Sequence, residues 1–161
     1  MGGGILPVAY HNGKVKFLFS REAMYTDDDP GKWSDFGGGK EGRETPYQTA
    51  VREGWEESAG FLGTKQDIRK LIKHHKVAKV QYNKYTTYLV QIPYDINLPK
   101  KFSADFKKNK RDRPDLVYDK NGLFEKDKLM WLSFDKLRKN IHRFRPFYRG
   151  ILREIIKECK K

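Results

Sequence analysis

The sequence predicts an α/β sandwich around a mixed sheet, and three observations carry that prediction. Short β-rich runs are mixed with helical patterns, without the regular βαβ alternation of an all-parallel sheet. At 161 residues the chain suits a single domain, since most domains run roughly 50 to 250 residues. Its 37% apolar and 14% aromatic content is enough for a packed core, unlike the composition of a disordered segment.

Residues 5–10 and 15–19 read as two strands joined at His11-Asn12-Gly13-Lys14. Asn-Gly tolerates positive φ and is a strong hairpin signal. Asp27-Asp28-Asp29-Pro30-Gly31 reads as an exposed turn. Residues 33–36 form a short strand running into Gly37-Gly38-Gly39. A helix then starts at Thr45-Pro46-Tyr47-Gln48, with Thr45 as N-cap, Pro46 at the first helical position and Gln48 closing a capping box. It runs to about Ser58, with Gly60 as its stop.

Further on, 65–73 reads as a short basic helix, and 77–80 and 85–92 as a strand pair joined around Asn83. The polar, Lys-rich stretch at 95–122 carries Pro99 and Pro114 and reads as a long loop or insertion. A strand at 129–134, a short helix at 135–140 and a longer one at 146–160 complete the chain. No repeat or domain boundary is evident, so 1–161 is expected to be one domain.

Chemistry concentrates on the helix that starts at Thr45. At about 100° per residue, Tyr47, Ala50, Val51, Gly54 and Ser58 share one packing face. Glu53, Glu56 and Glu57 fall on the neighbouring arc, at spacings that bring their side chains within reach of one another. Three carboxylates there repel each other and sit near the negative end of the helix dipole. A hard divalent cation offsets that cost, because Mg²⁺ prefers oxygen ligands. A solvated acidic face explains the helix alone equally well; the glycine turn before it and the pair Glu44 and Arg52 tip the balance.

Gly38, then five residues, Glu44, then seven, and Arg52-Glu53-Gly54-Trp55-Glu56-Glu57 resembles the Nudix box, G-x5-E-x7-R-E-U-x-E-E-x-G-U. The match spans about 23 residues. Gly54 departs from it at a position usually aliphatic, which predicts looser helix packing. The closing Gly-aliphatic pair is shifted by one, with Ala59 at the glycine position and Gly60-Phe61 after it. Gly3-Gly4-Ile5 and Trp131 to Leu137 are more weakly similar to the family's opening strands and late strand with its short helix.

The resemblance implies a Nudix α/β/α sandwich and a pyrophosphohydrolase acting on a diphosphate joined to another group. Glu53, Glu56 and Glu57 would ligate Mg²⁺ or Mn²⁺, completed by a backbone carbonyl at Gly37 or Gly38, with Glu56 or Glu57 orienting water. Glu44 would pair with Arg52, and Arg52 would orient the glutamates. A further acid on a distal loop is expected as base or extra ligand: Glu125 first, then Asp112, Asp115 and Asp119.

The charge of +13 is unevenly spread. Residues 1–63 hold 7 basic and 10 acidic groups, whereas 64–113 hold 14 and 4, and 134–161 hold 10 and 3. Basic groups beside aromatics, as in Lys100 to Arg113 with Phe102 and Phe106, and Arg143, Arg145 and Arg149 with Phe144, Phe147 and Tyr148, suit phosphate backbones and stacked bases. The expected substrate is therefore phosphate-rich. Capped RNA comes first, with Trp33, Tyr82 or Phe102 against the cap base, then a diphosphoinositol or dinucleoside polyphosphate. A nucleotide sugar or an oxidised nucleotide leaves most of the charge unexplained. An RNA-binding module on a vestigial catalytic fold is the reading from another class. His74, His75 and the lone Cys159 are given no role. A cytoplasmic monomer or homodimer without a membrane span is expected.

Overall fold

The computed structural model describes residues 1–118 and 123–160. Among them seven strands form one sheet: β1 (Gly2–His11), β2 (Lys14–Glu22), β3 (Trp33–Ser34), β4 (Phe36–Gly39), β5 (Lys76–Tyr82), β6 (Tyr85–Gln91) and β7 (Lys126–Ser133). Five helices accompany it: α1 (Pro46–Glu57), α2 (Lys65–His75), α3 (Leu98–Asp112), α4 (Pro114–Tyr118) and α5 (Pro146–Lys160).

Strand β1 is the spine. It pairs antiparallel with β2 and β4 on one side and parallel with β6 on the other, which makes the sheet mixed. The hairpin turn places Asn12 and Gly13 at φ +51° and +74°, as a two-residue turn between twisted strands demands. Strand β7 pairs antiparallel with β2, beginning at Lys126. That is earlier than expected, because Lys126 and Lys128 continue the ladder although their side chains are not apolar.

Alternation along β1 feeds two cores, since successive side chains point to opposite faces. Ile5 packs with Ala50, Val51, Ile68 and Ile72 of α1 and α2. Leu6 and Val8 join Phe17, Phe19 and the α5 residues Tyr148, Ile151, Leu152 and Ile155. Both faces of the sheet are covered, giving the three-layer α/β/α arrangement. Each fully buried Leu, Ile or Phe contributes about 1.5–3 kcal/mol.

The stretch at 95–122 is helical over Leu98–Asp112 and Pro114–Tyr118, a correction to the expected loop. Leu98, Phe102 and Phe106 recur every four residues, and the two phenylalanines are buried. Pro99 sits in the first turn, where its missing N–H costs no helical bond. Asp119 lies outside the described residues. Residues 134–143 form two 3₁₀ turns rather than an α-helix.

Candidate active site

The start of α1 is fixed as the sequence predicts. Thr45 Oγ1 accepts from Gln48 N–H at 3.1 Å, and Gln48 Oε1 accepts from Thr45 N–H at 2.9 Å. The helix packs on β1 and β4, so its acidic arc meets the glycine run of β4. Glu53 lies directly against Gly38: a β-carbon there would sit 2.8 Å from Glu53 Oε1.

Arg52 organises the outer carboxylates. Its Nε and Nη2 donate to the two oxygens of Glu44 at 2.8 and 3.0 Å, a bidentate pair. Nη2 also donates to the Gly39 carbonyl at 3.1 Å, and Nη1 donates to Glu53 at 3.0 Å and Glu56 at 3.2 Å. One guanidinium thus joins the glycine loop to the acidic helix.

A cavity of about 350 Å³ opens beside this cluster, lined among others by Glu22, Gly37, Gly38, Glu53, Glu57 and Glu125. The structure therefore brings Gly38, Glu53, Glu57 and Glu125 together. Glu56, Glu44 and Arg52 are not on the cavity wall; they join it through the contacts of Arg52. Asp112 and Asp115 do not reach it either, being paired with Arg111 and Arg113 on the exposed surface.

Behind the Glu22 and Glu57 wall of the cavity lies a set of contacts that sequence reasoning missed. Glu57 is buried and accepts from Gly37 N–H at 3.1 Å. Lys126 is buried as well, 2.8 Å from Glu22 and 3.8 Å from Glu57, and donates to Ser34 Oγ at 3.0 Å. Arg145 donates to Glu22 at 3.0 Å and to Asp29 at 3.1 Å. Behind them Asp35 is buried and accepts from Thr87 Oγ1 at 2.7 Å and Tyr85 Oη at 2.8 Å. Periodicity gives no signal for these contacts, since each partner is distant in sequence.

Burial pushes the Glu53 carboxyl up to about 7, with Arg52 opposing and Glu56 adding to the rise. Burial likewise raises Glu56, Glu57 and Glu125, with Lys126 opposing the rise at Glu57. Asp35 rises to about 6 for the same reason, despite its two hydroxyl donors. Glu44 goes the other way, to about 2, because Arg52 hydrogen-bonds its charged form. Burial disfavours the Lys126 ammonium, but Glu57 and Glu22 outweigh that and hold it charged.

This is an all-oxygen donor set facing one cavity, which fits a hard divalent cation in kind. Among the described residues no three carboxylates are already gathered around one point, since Arg52 holds Glu53 and Glu56 while Lys126 holds Glu57.

No protein-family model and no curated protein matches this sequence. Solved structures do. RenU, a Nudix hydrolase from M. smegmatis, superposes with a TM-score of 0.54 at 17% identity, over 99% of this chain and 85% of that one. A C. elegans Ap4A hydrolase binary complex gives 0.53 at 16% identity, over 99% and 96%. A mutT/nudix family protein from Listeria innocua gives 0.52 at 9%, over 99% and 92%. This chain has the Nudix fold.

Within the Nudix fold both departures from the box acquire a local meaning. Gly54 does not loosen the helix; it lets α1 sit tight against Ile5 of β1. Ala59 takes φ +50°, the left-handed conformation that the box's glycine accommodates more easily, and Gly60 follows at +81°. The Asp27-Asp28-Asp29 turn is as polar as expected, yet Asp27 and Asp28 line the carboxylate cavity. Trp33 and Phe102, expected against a cap base, are buried in the core; Tyr82 is exposed. Arg149 serves the fold, donating to the carbonyls of Phe144 and His142 at 3.1 Å each, while Arg145, paired with Glu22 and Asp29, also lines the carboxylate cavity. Among the described residues no helix is long and apolar enough to cross a membrane.

Proposed function

We propose that this chain is a divalent-metal-dependent pyrophosphohydrolase that opens a diphosphate linkage in a phosphate-rich substrate, with 5′-capped RNA as that substrate. The observation that carries the reading is the shared cavity of Glu53, Glu57 and Glu125 beside the Gly37-Gly38 backbone. Glu53, Glu56 and Glu57, with the Gly38 carbonyl, would hold Mg²⁺ or Mn²⁺. Bound there, the ion supplies neutralisation of the diphosphate and a lowered pKa for water.

The chain's own residues supply the rest. Arg52 fixes the directions of Glu53 and Glu56, as preorganised electrostatic catalysis requires. Glu125 faces the same cavity, and its burial raises its proton affinity, which suits a group that accepts a proton from water. Arg145 presents positive charge at the wall where phosphate oxygens would lie.

Two features favour RNA. Lys100, Lys107, Lys108 and Lys110 are exposed on α3, whose apolar side is buried. A second cleft of about 320 Å³ shares Gly38, Gly39 and Arg145 with the carboxylate cavity and adds Tyr82, Lys84 and Phe147. Exposed Tyr82 and Phe147 there suit a stacked base. The same compact cleft supports a dinucleoside polyphosphate as the second reading.

The test is hydrolysis with Mg²⁺ of capped RNA, dinucleoside polyphosphates, diphosphoinositols and nucleotide sugars. Capped RNA should be cleaved fastest, and Glu56→Gln should lower its turnover by about 100-fold or more while the protein stays folded. RNA binding without hydrolysis of any substrate would establish the binding-module alternative instead.

A further inference from the structure

We propose that the groove between α1 and α2 is an accessory nucleotide site that grips the body of a single-stranded RNA beside the carboxylate cluster. The inference rests on the RNA reading above and extends it to a surface outside both clefts already described.

The groove holds about 310 Å³ and is lined by Tyr47, Gln48, Arg52, Lys65 and Arg69 together with Glu44. Its charge is lopsided. Glu44 is held by Arg52 in a bidentate pair, and the same guanidinium also serves Glu53 and Glu56. Lys65 and Arg69 are exposed and form no ion pair among the described residues. Arg69 donates to neutral Gln66 at 3.3 Å, and Lys65 rests over the Trp55 ring, 5.0 Å from its centroid. Asp67, the acid of α2, is committed to the helix cap, accepting from Thr64 N–H and Oγ1 at 2.9 and 3.0 Å. Two positive charges therefore line the groove uncompensated.

Lysines on a solvated helix face need no concavity and no aromatic neighbour. Here Lys65 and Arg69, about 6 Å apart along the helix axis, share a concavity with Tyr47. Tyr47 is exposed and meets Tyr88 edge-to-face at 6.1 Å, which anchors the ring without stacking on it. Gln48 spends its Oε1 on the cap, and its amide N–H₂ makes no hydrogen bond among the described residues. Cations beside an aromatic ring are the combination that holds single-stranded nucleic acid, phosphate on the cations and base on the ring. An acidic peptide would use the cations and leave the ring without a role. Arg52 lines the groove and touches Glu53 and Glu56, so a nucleotide there lies one side chain from the cluster. RNA beyond the cleaved linkage must leave the cluster, and the groove gives that chain its first hold.

The experiment measures binding of a short uncapped single-stranded RNA by fluorescence anisotropy across a salt series. The full-length proteins are wild type, Lys65→Gln/Arg69→Gln, Tyr47→Phe and Tyr47→Leu, with circular dichroism as the check on folding. Lys65→Gln/Arg69→Gln should bind more weakly and lower the slope of log affinity against log salt by about 0.7 for each phosphate released. Tyr47→Leu should lose about 10-fold in affinity at an unchanged slope, and Tyr47→Phe, which keeps the ring, should bind like wild type. Wild-type binding by all three variants overturns the inference. The RNA reading still stands in that case if replacing Lys100, Lys107, Lys108 and Lys110 by Gln weakens binding. Loss in the double variant without loss in Tyr47→Leu also overturns it, in favour of a surface for an acidic peptide. Wild type that hydrolyses a dinucleoside polyphosphate but binds no RNA overturns the inference and the RNA reading together. Should Tyr47→Leu be unfolded, nitration of wild type decides: bound RNA must shield Tyr47 from tetranitromethane, and an unshielded Tyr47 overturns the inference.

Discussion

Gly54 of α1 lies so close to Ile5 of β1 that a β-carbon at residue 54 would come within 2.9 Å of Ile5 Cγ1. The Ile5 side chain is fully buried and has little room to retreat. Gly54→Ala gains about 1 kcal/mol of helix propensity but incurs an overpacking cost of about 1–3 kcal/mol. The expected net loss is about 1 kcal/mol, a fall of roughly 2–4 °C in melting temperature at this chain length. Gly54→Leu, closer to the family's usual residue, should lose about 3 kcal/mol or more. Thermal and denaturant unfolding of both variants checks the order.

Ala59 makes the opposite prediction. At φ +50° its methyl group strains the backbone, a conformation that disfavours non-glycine residues by about 1–2 kcal/mol. Against this, glycine's extra unfolded-state entropy and the missing methyl burial take back part of the gain. Ala59→Gly should stabilise by about 0.5 kcal/mol, and Gly60→Ala, at φ +81°, should destabilise by about 1 kcal/mol. Urea midpoints for the pair decide it.

Arg52→Lys tests the hub of the outer carboxylates. Lysine preserves the charge but not the fork that grips Glu44 while touching Glu53, Glu56 and the Gly39 carbonyl. Turnover should fall about 10-fold or more with a smaller change in KM, since misplaced carboxylates act on the transition state. Steady-state kinetics on the substrate identified by the panel provide the measurement.

The raised carboxyls fix the sign of the pH dependence. Glu53 near 7 and Asp35 near 6 bind more protons when folded than when unfolded. Their stabilising protonated forms are fully present below the ordinary carboxylate range and are lost as pH rises through the folded values. Metal-free protein should therefore melt at progressively lower temperature between about pH 4.5 and 7. Mg²⁺ should reverse the loss at the upper end, and Asp35→Asn should flatten the slope between about pH 4 and 6.

Replacing Lys100, Lys107, Lys108 and Lys110 by Gln should weaken RNA binding about equally for different sequences. It should also reduce the slope of log affinity against log salt by about 0.7 for each phosphate that is no longer neutralised. Hydrolysis of a dinucleoside polyphosphate should be unaffected. A salt titration of the wild type and the quadruple variant measures it.

What the sequence reveals about this molecule follows the range of the interactions involved. The Thr45–Gln48 box, the Asn12-Gly13 turn and the acidic arc of α1 are local, set by neighbours within four residues, and all three are readable before folding. Helix α3 hid its Leu98-Phe102-Phe106 stripe among lysines, because composition masks a narrow apolar face. Glu125 was reachable through family likeness, and its place in the cavity rests on the fold. The pairing of Glu22 with Lys126 and Arg145 was not legible. The contacts joining Glu22 to Lys126 and Arg145 span 104 and 123 residues, and only the β2–β7 pairing and the seat of α5 bring them together.

That long reach has a consequence for biosynthesis. The ribosome makes the acidic helix first, and Glu22 and Glu57 precede their cationic partners by a large part of the chain. Until Lys126 and Arg145 emerge, closing the sheet would trap carboxylates without counter-charge, so the nascent N-terminal half has an electrostatic reason to stay open. Cell-free chains arrested before residue 126 should remain sensitive to protease, and those extending far enough to release α5 should become resistant.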